Sequence, residues 1–312
     1  MKMRLITHDG SFHADDVLAY TVLAGIPRFS NARLIRTRDE HVIASADMGD
    51  IVFDVGFEFD PVRNRFDHHM RGKPLRDETL EGVRIPYSSV GLVWRFFGEE
   101  YLLSNFPDVE PVIDRVWDEI DRTLMIPTDM TDNGIGVSFA PTSLAVTIDD
   151  FNQSWDDDDD HGDSLFLAAS NFARTVLEQR AAKAISAARA LDIATEAIAS
   201  SPDPRIIVLP RPLPWEPAIY AGGFDEALYV ISEKKGTWYC QAVRPEEGSF
   251  GQRKPLPEAW AGLEGDDLVQ VSGVEDAVFC HAMRFVCAAR SLDGALELAH
   301  IAAGPAPSPS AA

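Results

Sequence analysis

Across its first half the chain alternates short β-type runs with amphipathic helical stretches, and that order leaves few folds open. Arg4 to His8, Arg33 to Arg36, Ile51 to Phe53 and Arg65 to Asp67 read as strands; Ala14 to Ile26, Ser88 to Tyr101 and Val109 to Met125 read as helices. Strands alternating with helices predict an α/β fold built on a mostly parallel, covered sheet. In an open sheet of that kind, ligands bind outside the carboxyl ends of the strands, at a topological switch point. His8, His13 and Asp15 follow the first strand, Asp54 closes the third, and Asp67, His68 and His69 lie at the end of the fourth. Five of the eight histidines fall within the first 69 residues, so imidazole is concentrated where a ligand would sit.

Each of these residues alone has an ordinary reading. A histidine after a strand is commonly a hydrogen-bonded loop residue, and Asp15 or Asp16 would favour the start of the following helix. Together, at consecutive strand ends, they point to a metal site. Imidazole and carboxylate without thiolate suit Mn²⁺, Mg²⁺, Fe²⁺, Co²⁺ or Zn²⁺. At least five candidate ligands are enough for two ions about 3.5–4 Å apart with one carboxylate bridging. Such a pair clamps a phosphoryl group and makes a nucleophile of water at neutral pH, which is the machinery of phosphoester hydrolysis.

The rest of the chain is organised differently. Ser154-Trp155 and the five aspartates Asp156 to Asp160 read as a solvated loop; a calcium-binding loop would need alternating ligands and a closing glutamate, and both are missing. An Ala-rich helical segment runs from Ser164 to about Ser200 and is ended by Ser201-Pro202-Asp203-Pro204. Strand-like runs at Ile206–Leu209, Ala227–Ile231, Thr237–Val243 and Ala277–Phe279, followed by a helix from Ser291 to Ala303, predict a second α+β domain. Over 312 residues the expected organisation is a metal-binding α/β domain at 1–163, a connecting helical segment at 164–202, a smaller α+β substrate domain at 203–303, and a disordered Pro/Ser/Ala tail at 304–312.

Charge and cysteine content narrow the partners. Lys and Arg number 28 against 50 Asp and Glu, a net charge of −22. That field opposes polyanions at long range, so a phosphate-bearing substrate calls for local cations. Arg63, Arg65, Arg71, Lys73 and Arg76 cluster around the Asp67-His68-His69 segment and are the expected patch. Cys240, Cys280 and Cys287 form no C-x-x-C pair, which argues against a disulfide framework or thiolate zinc site and fits a reducing cytoplasm. No apolar run approaches the ~18 residues needed to span a bilayer, so no membrane partner is expected.

The run His8-Asp9-Gly10-Ser11-Phe12-His13-Ala14-Asp15-Asp16, then Asp54-Val55-Gly56, then Arg65-Phe66-Asp67-His68-His69, resembles the melanocyte-proliferating-gene (MYG) family, which looks like a branch of the DHH phosphoesterases. The resemblance continues through Ser88 to Trp94 and Asp132-Asn133-Gly134-Ile135. It returns at Phe250 to Pro257, Val271 to Val274, Phe279-Cys280-His281 and Gly294-Ala295, and so covers nearly the whole chain. It implies two divalent ions, Mn²⁺ before Mg²⁺. His8, His13 and Asp54 would hold one; Asp15, Asp54, His68 and Asp132 would hold the other, with Asp54 bridging. His69 would face the phosphate, and Asp67 would orient a neighbouring imidazole. Departures exist: His13 stands where general DHH enzymes carry aspartate, Met70 where glutamine usually follows the triplet. Asp129 and Asp121 compete with Asp132 as the last ligand.

The same resemblance places Arg253, Lys254, His281 and Arg284 in blocks that would contact substrate, guanidinium groups being suited to phosphate. Trp215, Trp238 and Tyr239 could stack on bases, although aromatics at strand spacing usually belong to a core. The function expected is a divalent-metal-dependent phosphodiester hydrolase, a 3′-to-5′ exonuclease on RNA or short oligonucleotides. The alternatives are a pyrophosphatase or small-nucleotide phosphatase, favoured mildly by the acidic charge, and a catalytically weak metal-binding protein. Oligomeric state is left open.

Overall fold

A computed structural model describes residues 2–136, 142–157 and 161–305. Two compact units divide the chain, Met1–Ile185 and Ser186–Ala312. Asp158 to Asp160 of the aspartate run, and all but the first two residues of the expected disordered tail, lie outside the described residues.

The N-terminal unit begins with β1 (Arg4–Thr7), α1 (Ala14–Ala24), β2 (Arg33–Arg36), α2 (Glu40–Ala44), β3 (Ile51–Phe53), β4 (Phe59–Asp60) and β5 (Arg65–Phe66). These strands form one sheet in the order β2-β1-β3-β5-β4, parallel throughout except for the edge strand β4. Leu5, Ile6, Ile51, Val52 and Phe53 are all buried, the continuous apolar signature of strands covered on both faces. From β1 the chain crosses to β2 on one side and then to β3 on the other. The switch point therefore lies between the carboxyl ends of β1 and β3, where His8 and Asp54 emerge.

A hairpin follows, β6 (Leu75–Leu80) and β7 (Val83–Pro86), which the sequence pattern does not predict. Helices α3 (Ser89–Asn105) and α4 (Ile113–Ile120) come next. A π-helical turn at Asp121–Met125 leads into α5 (Ile126–Asp132), then α6 (Leu144–Asp149) and the long α7 (Gly162–Ala199). Helix α1 buries Val17, Leu18, Val22 and Leu23 and packs against α3. Gly91 of α3 permits a close crossing: a Cβ there would lie 2.3 Å from an Asp129 carboxylate oxygen of α5.

The C-terminal unit holds β8 (Ile206–Val208), α8 (Glu216–Ala221), β9 (Tyr229–Lys234), β10 (Thr237–Ala242), α9 (Gly265–Ser272), β11 (Ala277–Cys280), β12 (Val286–Ala289) and α10 (Leu292–Ala303). Its sheet runs β11-β12-β10-β9-β8, antiparallel apart from the β8–β9 pair. Strand β12, which the sequence pattern also leaves unmarked, is short and small-residued, Val-Cys-Ala-Ala. One face packs on α10 through Leu298, Ala299 and Ala302; Trp215 is buried in a separate cluster with Ile207 and Ile219. All three cysteines are buried and free. Among the described residues no helix is long and apolar enough to cross a membrane.

Candidate metal centre

Five segments deliver the centre. The loop after β1 brings His8. The first turn of α1 brings Asp15 and Asp16, next to its N-cap His13; the Asp16 Oδ1 accepts the His13 backbone N–H at 2.8 Å, so this residue closes the helix start as well as facing the centre. Asp54 follows β3 with φ +57, the left-handed region that a short polar side chain tolerates. Asp67-His68-His69 follow β5, and Asp132 ends α5.

Their side chains converge. His8 Nε2 lies 3.2 Å from Asp54 Oδ2 and 3.3 Å from Asp16 Oδ2. His68 Nε2 lies 3.1 Å from Asp54 Oδ1, 3.4 Å from Asp132 Oδ2 and 3.7 Å from Asp15 Oδ2. Asp54 thus stands between two imidazoles, with Ser89 Oγ donating to its Oδ1 at 3.0 Å. Three sets of potential ligand atoms fall within 4.8 Å of one another: His8, Asp16 and Asp54; His13, Asp15 and Asp132; and Asp54, Asp67, His68 and His69. The structure therefore places Asp16 beside His8 and groups His13 with Asp15 and Asp132. Sequence reasoning does not reach Asp16 as a ligand candidate; the adjacent Asp15-Asp16 pair in one helical turn is its only signal.

The electrostatics are those of carboxylates short of positive charge. Burial, reinforced by the charges of Asp54, Asp132 and Asp16, pushes Asp15 well above the usual carboxylate range. Burial and the Asp54 charge push Asp16 up to about 7. Asp132 is raised too, chiefly by burial. Burial would also raise Asp54, but hydrogen bonds from His68 and His8 outweigh it and hold Asp54 well below its ordinary value. Burial would lower His8, yet Asp54 and Asp16 more than offset that and raise it.

The donor set fits divalent cations. Both carboxylate oxygens of Asp15, Asp16 Oδ2 and His68 Nδ1 are buried without a hydrogen-bond partner, and such atoms are costly unless something compensates them. His8 places Nδ1 3.0 Å from the Asp9 carbonyl oxygen, the arrangement that presents Nε2 to a metal. Asp67 serves His69: its Oδ1 accepts from His69 Nδ1 at 2.7 Å and from the His68 and His69 backbone N–H groups. That hydrogen bond raises His69, whose side chain is 50% exposed. A cavity of about 1010 Å³ opens over the centre, lined by His8, His13, Asp54, His68, His69 and Asp132, with Met70 and Lys73 on its wall.

Of the three aspartates that compete for the last position, Asp132 faces the imidazoles, while Asp121 and Asp129 are bound by Arg76. The guanidinium reaches Asp121 at 2.7 and 2.9 Å and donates through Nε to Asp129, which also accepts from Ser88 N and Oγ. Burial pushes Asp129 up to about 6 despite that partner. The expected basic patch is reduced accordingly. Arg76 is buried and neutralised, and Arg65 is buried against the carbonyls of Arg63 and Ala46. Of the expected patch, Arg63, Arg65 and Lys73 line the cavity, joined by the unforeseen Arg38.

Residues 4–303 match the family model described as MYG1_exonuc, uncharacterised protein family UPF0160. This chain belongs to the MYG1 family. The MYG1 exonuclease of Homo sapiens is 31% identical over 325 residues, covering 95% of this chain and 84% of the human one. The MYG1 protein of Schizosaccharomyces pombe is 30% identical over 321 residues, covering 95% and 96%. A crystal structure of RecJ in complex with Mn²⁺ from Thermus thermophilus is a distant likeness, with 12% identity and a TM-score of 0.27 over 97% of this chain and 53% of that one. As a MYG1 member the protein is a hydrolase of the nuclease or phosphodiesterase kind.

In the C-terminal unit, the four residues expected to touch substrate are placed as follows. Arg253 donates to the Phe224 and Ala227 carbonyls, Lys254 to the Ala303 carbonyl at 2.7 Å, and Arg284 to the Leu256 carbonyl at 3.4 Å. His281 is exposed, its Nδ1 accepting the Met283 N–H.

Proposed function

We propose that this MYG1 protein is a divalent-metal-dependent phosphodiester hydrolase, a 3′-to-5′ exonuclease on RNA or short oligonucleotides, with two Mn²⁺ ions in a DHH-type centre. One observation carries the reading: unpartnered, buried carboxylate oxygens of Asp15 and Asp16 stand beside Asp54, Asp132 and three imidazoles at the switch point of the sheet. The exonuclease names of relatives supply the bond that such a centre would cleave. The residues that would hold the ions are His8, His13, Asp15, Asp16, Asp54, His68 and Asp132. When bound, such ions supply an acidified water and neutralise charge on the phosphoryl oxygens. His69, half exposed on the cavity wall and kept protonated more firmly by Asp67, donates to a phosphoryl oxygen. Lys73 and Arg38 provide cationic wall for the flanking phosphates of an otherwise repelled polyanion. In the C-terminal unit the proposal gives Arg253, Lys254, His281 and Arg284 further phosphate contacts, with His281 the exposed member. The buried free thiols fit a cytoplasmic setting.

The test is 5′-labelled RNA incubated with the protein and Mn²⁺, Mg²⁺ or EDTA. A one-nucleotide ladder growing from the 3′ end, lost with EDTA and with Asp54→Ala, is the expected result. Release of phosphate from pyrophosphate while the RNA stays intact would replace this reading with the small-phosphate alternative. Mn²⁺ binding with neither activity would leave a metal-binding protein.

A further inference from the structure

We infer that Phe57 is a stacking platform for the nucleobase of the nucleotide being removed, and so determines specificity at the proposed site. The inference rests on the proposed function for its substrate class, and on three observations for the residue. The ring is 74% exposed, and among the described residues it is the one large apolar side chain on the cavity wall that stands out into solvent. Its backbone has φ +57, a region that bulky residues avoid and that persists where the surroundings enforce it, commonly at a ligand site. What enforces it is Asp67: Oδ2 of that carboxylate accepts the Phe57 backbone N–H while Oδ1 accepts from His69 Nδ1.

One carboxylate therefore fixes an aromatic face and the phosphate-facing imidazole in a single arrangement. The two rings lie 6.5 Å apart between centroids, tilted by 73°. That spacing is of the order of the base-to-phosphate span within one nucleotide. A phosphate held at His69 leaves its own base over or beside the Phe57 ring, and bases of any identity stack on such a face. The ring's aromatic neighbour is His69, a member of the centre itself. Phe59 and Phe66, by contrast, contact each other and Phe96.

The experiment compares binding of adenosine 5′-monophosphate and ribose 5-phosphate, which share a phosphate and differ by the base, to the Mn²⁺-loaded protein by calorimetry. The wild type is expected to prefer the nucleotide by about tenfold, the scale of one stacked base. Phe57→Gly should abolish that preference by weakening the nucleotide alone, and Phe57→Trp should keep it. Glycine accepts the left-handed backbone, so F57G should melt no lower than the wild type and remain interpretable. An unchanged preference in F57G, or equal weakening of both ligands, overturns the inference. RNA shortening run in parallel separates the two readings. Shortening by the wild type with an unchanged preference in F57G sinks the platform alone. Loss of the preference in F57G, without any shortening by the wild type, sinks the exonuclease reading and upholds base binding.

Discussion

Arg76 meets Asp121 through both terminal guanidinium nitrogens, at 2.7 and 2.9 Å, while its Nε donates to Asp129. All three side chains are buried. The pair of acids holds the hairpin β6–β7 to the π-turn and α5, the helix that ends in Asp132. Removing the cation strands two carboxylates in a dry interior. Arg76→Met should therefore destabilise the N-terminal unit by about 3–5 kcal/mol, the usual cost of breaking a buried ion pair from one side. Arg76→Lys keeps the charge without the forked geometry and should fall between the two. Urea unfolding of the three proteins measures this; a methionine variant as stable as the wild type would show the triad to be dispensable.

Metal should stabilise the fold directly. The buried oxygens of Asp15 and Asp16 that lack a hydrogen-bond partner would gain a compensating charge from a bound cation. At a free Mn²⁺ concentration about 100 times the dissociation constant, linkage gives roughly 2.7 kcal/mol. For a chain of this size that is a rise of about 5–10 °C in the melting temperature of the N-terminal unit. EDTA should reverse it. A melting curve indifferent to Mn²⁺ and EDTA would contradict the assignment of the centre.

Asp16 offers a separation of roles. In Asp16→Asn the amide oxygen still accepts the His13 N–H, so the helix start survives, but the negative charge beside His8 is gone. Mn²⁺ affinity should fall by roughly 10- to 100-fold with little loss of metal-free stability. Asp54→Asn, which removes the carboxylate between His8 and His68, should lose metal-induced stabilisation altogether. Calorimetric titration of both variants decides, and wild-type affinity in either one would remove that residue from the centre.

Acid should expose a different pair. Burial pushes Asp50 up, but the Arg4 guanidinium and the backbone N–H groups of Asp47 and Arg4 outweigh it and hold Asp50 below its ordinary value. A carboxylate whose folded-state pKa is depressed contributes stability above its unfolded value, near 3.9, and loses it as pH falls through the folded value. Asp50→Asn is expected to cost about 1–2 kcal/mol at pH 7. The difference from wild type should shrink below about pH 4. A gap that stays constant between pH 7 and pH 3 would count against this linkage.

Much of the centre is legible because a parallel strand announces itself. Leu5-Ile6 and Ile51-Val52-Phe53 are unbroken apolar runs, and whatever polar residue comes next must lie at the sheet's carboxyl edge. His8 and Asp54 follow from that alone. The hairpin is harder: Leu75 to Leu80 reads L-R-D-E-T-L, with no apolar alternation, since its one deeply buried side chain is the charged Arg76. Its turn does carry a signal, Glu81-Gly82, where both residues take positive φ as a tight two-residue hairpin requires. Arg76 itself looks like a surface cation because its two acidic partners lie 45 and 53 residues away. Strand β12 and Phe57 depend on tertiary packing that no local pattern reports.

The π-turn at Asp121–Met125 makes the final carboxylate a matter of counting. Asp129 lies eight positions after Asp121, and along an unbroken α-helix that step leaves two side chains about 80° apart around the axis. One wider coil takes up much of the offset, so both acids reach a single guanidinium and Asp132 arrives opposite His68. Winding the same residues as regular α-helix throughout would bring that offset back and swing everything beyond the turn, Asp132 included, by up to roughly 80°. The widened coil thus acts as a set-square: its pitch, independent of its side chains, fixes the bearing at which Asp132 arrives.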